Sequence, residues 1–429
     1  MIVKNEEKNI EKALSWGKDV MWEQVVVDTG STDRTVELAC RIGAKVYHYL
    51  WTDDFSSAKN YAIEKCRGDW IALLDADEYM VFPDVQKLLG IIEELEKRHM
   101  DGLSTGWQQI DDKGQIFSSG TQVRFFRNDP DIRYRRRIHE QLESVSGREL
   151  RLGDAVNELS IFHTGYQTEN QTEKKRSGRN RRLIQEELKE NPKDYEMMGY
   201  MGDECLVDGN KEEAEYWYLR SIEYMPSQLY YNDQRSAVTF TQLLILLIEK
   251  GDVSWNEIEK IYQKAVKLLP EEADFDYEVG QFFAVRGEMK DAVFYLETAI
   301  EKLNTYGCNN KALLLAANLL EAYDLLVRCC YESGQIEKCI SYGVIYLKYH
   351  KYGMGVLSRV LKALVPKQTE VSEETDIAVM GLLSKIYDFS QLKDRLFIAK
   401  TVKLAERERF ADFAVNYLFD QNEKIQLGL

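Results

Sequence analysis

Over the first hundred residues, short apolar runs alternate with stretches of helical period. Met1-Ile2-Val3 leads into Lys4-Asn5-Glu6-Glu7 and a helix through Trp16. Gln24 to Val27 is a strand ending at Asp28, Ala44 to Tyr49 is another, and Trp70 to Leu74 a third, with helices over Thr32–Arg41 and Ser56–Lys65 between them. Strands separated by helices of this length imply βαβ units and a mostly parallel sheet. Such sheets bind ligands beyond the carboxyl ends of their strands. The polar motifs NEE, DTGSTD and DADE all fall at those ends.

The run Trp70 to Leu74 continues into Asp75-Ala76-Asp77-Glu78. A buried strand that delivers two carboxylates at spacing two points both to one side of the sheet. Hard divalent cations take oxygen ligands of this kind, often together with substrate phosphates. A strand end followed by an acidic helix start is the plainer alternative.

Residues 101–166 read as further strands, Ser104 to Ile110, Gln122 to Phe126 and Leu159 to Thr164, and as the acceptor-side half of the same domain. From Glu169 the pattern turns helical. Lys174 to Lys189 is a charged helix stopped at Asn191-Pro192. Gly202 and Ala214 then stand twelve apart, as do Gly280 and Ala292, and the turns DGNKEEA, RGEMKDA and SGQIEKC recur. Small residues at matching places let helix pairs pack closely and stack into a shared core, in a degenerate tetratricopeptide-like pattern. The expected organisation is an α/β domain over 1–166, a linker helix over 167–192 and an all-α repeat domain over 193–429. The apolar stretch Phe410 to Leu418 is spaced like a helix face, and a homodimer through the repeats is expected from it.

A net charge of −16 argues against nucleic acid as a partner. No apolar run approaches the roughly 20 residues of a membrane span, and MIVKNEEKNI lacks the apolar core of a signal peptide. Seven cysteines without metal-like spacing fit free thiols in a cytoplasmic protein.

Taken in order, MIVKNEEKNI, VVVDTGSTDRT, DDFSSAKNYAI, WIALLDADE, RFFRN and RRIHEQL resemble the nucleotide-sugar-dependent glycosyltransferases of family 2, with a Rossmann-like GT-A fold. The resemblance implies an inverting transfer of a hexose from a UDP-sugar, commonly with Mg²⁺ or Mn²⁺. On it, Val3, Asn5 and Glu6 line the uridine pocket and Asp28 hydrogen-bonds the base. Lys59 lies near the nucleotide, Asp75 by the ribose or metal, and Asp77 ligates the metal. His163 approaches the metal or pyrophosphate. Family members usually show several residues before the first strand, which here opens at Met1.

RFFRNDPDIRYRRRIHEQL carries six arginines, and Arg137 among them is a candidate for the diphosphate or a charged acceptor; a solvated charged hairpin is the alternative. An inverting transfer needs a base for the acceptor proton. Glu140 is the candidate, with His139 orienting it or acting itself. The succession of a family 2 domain and tetratricopeptide-like repeats is similar to the bacteriocin peptide S-glycosyltransferases of the sublancin type. A Cys or Ser side chain of a small peptide is therefore the expected acceptor. A surface polysaccharide or lipid-linked glycan is the first alternative, and a non-catalytic repeat-based binding protein the second.

Overall fold

A computed structural model of the chain describes residues 1–111, 113–164, 178–229, 233–308, 311–365 and 372–428. They form two compact units, Met1–Ser227 and Gln228–Leu429. The division falls later than the one expected at 166–193, because the first helical hairpin belongs with the α/β residues. The beginning of the expected linker helix, and Gly165 and Tyr166 after the last strand, lie outside the described residues.

The first unit opens with β1 (Ile2–Val3), α1 (Ile10–Ser15), β2 (Val25–Asp28), α2 (Thr35–Ile42), β3 (Lys45–His48) and α3 (Phe55–Lys65). The three strands pair in parallel in the order β1-β2-β3. Val25, Val26 and Val27 are all buried, as a parallel strand covered on both faces requires. Val26 packs with Ile10, Leu14 and Leu38, while Val25 and Val27 pack with Ala62 of α3.

A second sheet follows: β4 (Trp70–Ala72), β5 (Glu78–Met80), α4 (Phe82–Lys97), β6 (Gly102–Ile110), β7 (Ile116–Arg127) and β10 (Leu152–His163), ordered β4-β7-β6-β10-β5. The mostly parallel arrangement expected from the sequence holds for the first sheet. In the second, only β6 and β10 run parallel, and the other neighbours are antiparallel. Its core joins Leu74, Met80, Leu88, Leu103, Phe125, Leu159 and Ile161. A separate hairpin, β8 (Ile132–Arg135) with β9 (Gln141–Ser144), lies outside both sheets.

The unit ends in α5 (Arg179–Glu190), α6 (Tyr195–Val207) and α7 (Lys211–Tyr224). A Cβ on Gly202 would stand 2.4 Å from the Tyr218 ring, so only glycine permits this approach of α6 to α7. In the second unit, helices Asp274–Val285 and Met289–Tyr306 repeat the device, with Gly280 against Leu296. The three turns foreseen as equivalent are equivalent. Gly209, Gly287 and Gly334 have φ of 78, 79 and 76°. In each, the following amide reaches back over the turn: Asn210 to the Cys205 carbonyl, Glu288 to Phe283 and Gln335 to Cys330, at 2.8, 3.0 and 2.8 Å. This is a Schellman closure, which needs a left-handed residue.

Among the described residues no helix is long and apolar enough to cross a membrane. The Phe410–Leu418 face corrects the argument made for a dimer. In the helix Glu408–Leu418 its residues Phe410, Ala411, Ala414, Val415 and Leu418 are already buried inside the second unit, so they offer no open surface.

Two outcomes follow from this packing. Gly202→Ala should destabilise the first unit by about 1–3 kcal/mol through overpacking. Gly90→Ala, on an exposed helical site with nothing within 4 Å, should stabilise it by roughly 0.5–1 kcal/mol; thermal denaturation compares the two. In the second unit, burial and then the nearby Asp274 and Glu249 push the Glu278 carboxyl from 4.5 up to about 8. The folded state therefore holds a proton that the unfolded chain releases, and stability falls as pH rises between those values, by up to about 1.4 kcal/mol per pH unit. Glu278→Gln should flatten that part of a urea-stability profile.

Candidate functional site

At the carboxyl edge of the first sheet two loops lock together. The Asp28 carboxylate accepts from the amides of Ser31 (3.0 Å) and Gly30 (3.2 Å), and His48 Nδ1 lies 3.3 Å away. Burial would raise the Asp28 pKa, but these hydrogen bonds bring it below the ordinary value. Asn5 holds a left-handed φ of 57°; its Oδ1 accepts from the Thr32 amide at 2.8 Å and its own amide donates to Ser31 Oγ at 2.9 Å. The Glu6 amide donates to Thr35 Oγ1 at 2.7 Å. Val3, Asn5, Glu6 and Asp28 are thus brought to one edge. His48 joins them unforeseen; its only sequence signal is its place at the end of the strand next to the one that delivers Asp28.

The DADE tetrad is built differently from the expectation. β4 stops at Ala72, and Asp75 to Glu78 form a turn closed by the Glu78 amide on the Asp75 carbonyl at 3.0 Å. The two aspartates therefore engage different partners. Asp75 lies 3.5 Å from Lys59 Nζ and 3.0 Å from Arg124 Nη2. Asp77 lies 3.4 Å from His163 Nε2. The antiparallel pairing of β5 and β10 sets His163 opposite Glu78 and so next to Asp77.

Glu78 is the residue the sequence reading passed over. It is fully buried. One carboxylate oxygen accepts from Arg124 (2.6 Å) and Trp107 Nε1 (2.8 Å), and the other from the Asp75 amide (2.9 Å). Trp107 in turn packs on the His163 ring, 4.8 Å between centroids.

Lys59 is buried, and its ammonium pairs with Asp75 and also with Glu140. Burial alone would depress its pKa; the two carboxylates reverse that and push it up. Asp75 behaves conversely. Burial disfavours its charge, and Lys59 with Arg124 hold its carboxyl far below the usual carboxylate range. Candidate base and candidate donor-side carboxylate thus share one cation.

Glu140 ends the loop between β8 and β9. Next to it, the His139 ring lies flat on Tyr200, 3.5 Å between centroids and 3° between planes. The arginines around this loop are largely committed. Arg136 pairs with Glu196 and Asp194, Arg127 with Glu96, Arg135 with Glu143 at 3.6 Å, and Arg133 donates to the Asp129 and Ile132 carbonyls. Arg137 pairs with Glu190 and its amide donates to Glu187, both of α5, and the structure does not bring it to Asp75.

Among the described residues no group of three His, Cys, Asp or Glu side chains is spaced to hold a metal ion. Asp77 and His163 do fit as two ligands of one cation, since their facing atoms are closer than the sum of two metal–ligand bonds, about 4 Å. Charge agrees: four carboxylates, Glu140, Asp75, Glu78 and Asp77, gather here, and the direct ion pairs of the first three are with Lys59 and Arg124.

Residues 1–147 match the family described as Glycosyl transferase family 2. A TPR repeat-containing protein of Synechococcus elongatus is 31% identical over 52% of this chain and 55% of its own length. The SPbeta prophage-derived glycosyltransferase SunS of Bacillus subtilis is 28% identical over 58% of this chain and 57% of its own. The chain thus spans a little over half the length of these relatives. The TPR protein YrrB overlays 51% of this chain and 97% of its own at 16% identity and a TM-score of 0.36, too loose to carry an argument. The N-terminal α/β residues form a family 2 glycosyltransferase domain, and tetratricopeptide-like helical hairpins follow it.

Lys59→Met leaves Glu140 without its cation. Removing one partner of a buried pair costs about 3–5 kcal/mol, and that loss is expected in urea denaturation at pH 8. It should shrink toward pH 5, because a buried carboxylate without its cation takes up a proton more readily in the folded state than in the unfolded one.

Proposed function

We propose that the protein transfers a hexose, with inversion, from a UDP-sugar to a cysteine or serine side chain of a small peptide. The observation that carries the reading is the shared cation: Lys59 ties Asp75, on the donor side, to Glu140. In this reading the loops of Val3, Asn5, Glu6 and Asp28 receive the uridine, with Lys59 and Asp75 next to the ribose and diphosphate. Arg137, turned to Glu187 and Glu190, has no part in it.

The acceptor O–H or S–H gives its proton to the Glu140 carboxylate. Its oxygen or sulfur forms a bond to the anomeric carbon from the face opposite the diphosphate. The bond from that carbon to the diphosphate oxygen breaks, and UDP leaves with the electron pair. His139, held flat against Tyr200, orients the loop that carries Glu140. A divalent cation, when bound, offsets the charge that develops on the leaving diphosphate, and Asp77 and His163 would hold it. A carboxylate with an imidazole suits Mn²⁺ better than Mg²⁺, which favours oxygen ligands.

A peptide acceptor is supported by the helical hairpins, since stacked pairs make extended surfaces. A thiol has a reference pKa of about 8.5 and needs only a weak base.

The test is incubation with a panel of nucleotide sugars and Mn²⁺ or Mg²⁺, following released nucleotide, with peptides and glycans as acceptors read by mass spectrometry. Release from a UDP-sugar, a hexose on Cys or Ser, its loss in EDTA and in Asp77→Ala, and a fall of about 10²-fold or more in Glu140→Gln are expected. Full activity of Asp77→Ala or in excess EDTA would remove the metal. Efficient transfer to glycans with no modified peptide would replace the acceptor.

A further inference from the structure

The Arg136–Gln141 loop is held in a conformation its own sequence does not favour. Arg136 and His139, neither of them glycine, have φ of 74 and 52°. Each such residue costs on the order of 1–3 kcal/mol and persists only where its surroundings impose it. Two sets of contacts do so. From α3, the Phe55 amide donates to the Arg137 carbonyl at 2.9 Å and Ser56 Oγ to the Arg136 carbonyl at 2.5 Å. The other set comes from the helical hairpin α5–α6. Glu196 pairs with Arg136 and accepts from Gln141 Nε2 at 2.8 Å; Asp194 lies 3.2 Å from Arg136; Glu187 accepts from the Arg137 amide; the Tyr200 ring covers His139.

The same hairpin reaches the other side of the site. Arg182 of α5 makes a bidentate pair with Asp53, at 2.7 and 2.8 Å. Asp53 is itself left-handed, at φ 59°, and precedes Asp54, whose side chain caps α3 by accepting from the Ser57 amide. That helix carries Lys59. Both members of the Lys59–Glu140 pair are therefore referred to one helical hairpin. The Glu196 and Asp194 side chains are only 7% and 8% exposed, so their pairing with Arg136 is poorly screened and rigid compared with a surface ion pair.

We propose that this first helical hairpin is part of the catalytic unit, with Tyr200 and Glu196 as positioning residues that keep Glu140 on Lys59. The inference rests on the reading of Glu140 as the base. Positioning predicts a specific signature. Loosening the loop displaces Glu140 by a fraction of an ångström to an ångström, which costs up to about 10²-fold in rate, while the uridine loops at the edge of the first sheet stay as they are.

The experiment uses the full chain with Tyr200→Ala, Tyr200→Phe and Glu196→Gln. Transfer kcat, UDP affinity by calorimetry, thermal midpoint and hydrogen exchange of the 137–141 amides are measured together. Tyr200→Ala is expected to lower kcat by about 10–10²-fold, with UDP affinity and midpoint close to wild type and faster exchange in the loop. Glu196→Gln should move the same way, and Tyr200→Phe, which keeps the ring, should recover most of the rate. Transfer within twofold of wild type in Tyr200→Ala, unchanged loop exchange, or a joint fall of UDP affinity, midpoint and rate overturns the proposal. If the wild-type protein turns over no nucleotide sugar, the proposed function fails, and loop exchange alone still decides whether the hairpin holds the loop.

Discussion

A buried ammonium between two carboxylates is the interaction on which the first unit turns. Taking Lys59 out of water costs several kcal/mol, recovered only if its partners are well placed. Asp75 comes from the turn after β4, Glu140 from the β8–β9 loop and Lys59 from α3, with the Tyr134 ring 5.2 Å from the ammonium. Three segments far apart in sequence are thereby held to one geometry. A change in any of them is transmitted to the others through the charge as well as through the apolar packing of Ile63, Leu73, Ile132 and Tyr134.

The same logic extends in a line. Glu140, Lys59, Asp75, Arg124 and Glu78 alternate in sign; Trp107 then links Glu78 to His163, and His163 faces Asp77. Every member but the first and the last has a neighbour on each side. The line begins at the loop of the candidate base Glu140 and ends at His163 and Asp77, so under the proposed function fixed dipoles and charges would join the base to the two residues that would hold a cation. Preorganisation of this kind lowers the reorganisation needed when charge moves from acceptor to leaving group.

Much of this was legible in the sequence because its signals are local. Strand–helix alternation over residues 1–100, the three turn glycines and the carboxyl-end placement of NEE, DTGSTD and DADE depend on neighbours a few positions away. Pairings set by long-range topology were hidden. The sequence treats Asp75 and Asp77 as equivalent, whereas the turn sends one to Lys59 and the other to His163. Glu78 reads as a helix start, yet it is the buried anion that fixes the turn. Arg136 and Arg137 read as an anion site, and the carboxylates that occupy them lie about 50 to 60 residues away, on α5 and α6. The Phe410–Leu418 face shows the same limit from the other side. A helical period reveals an apolar face, but not whether another part of the chain already covers it.

The turns at Gly209, Gly287 and Gly334 have a consequence of a different order. Each hairpin is closed by hydrogen bonds within itself, made by a glycine conformation that needs nothing from the next hairpin along. A hairpin closed in this way can be duplicated, lost or exchanged without re-engineering its neighbours' corners. The helical half can therefore change length and lining over evolutionary time, while α6, which leads into the Gly209 turn, stays tied through Glu196 to Arg136 and cannot drift.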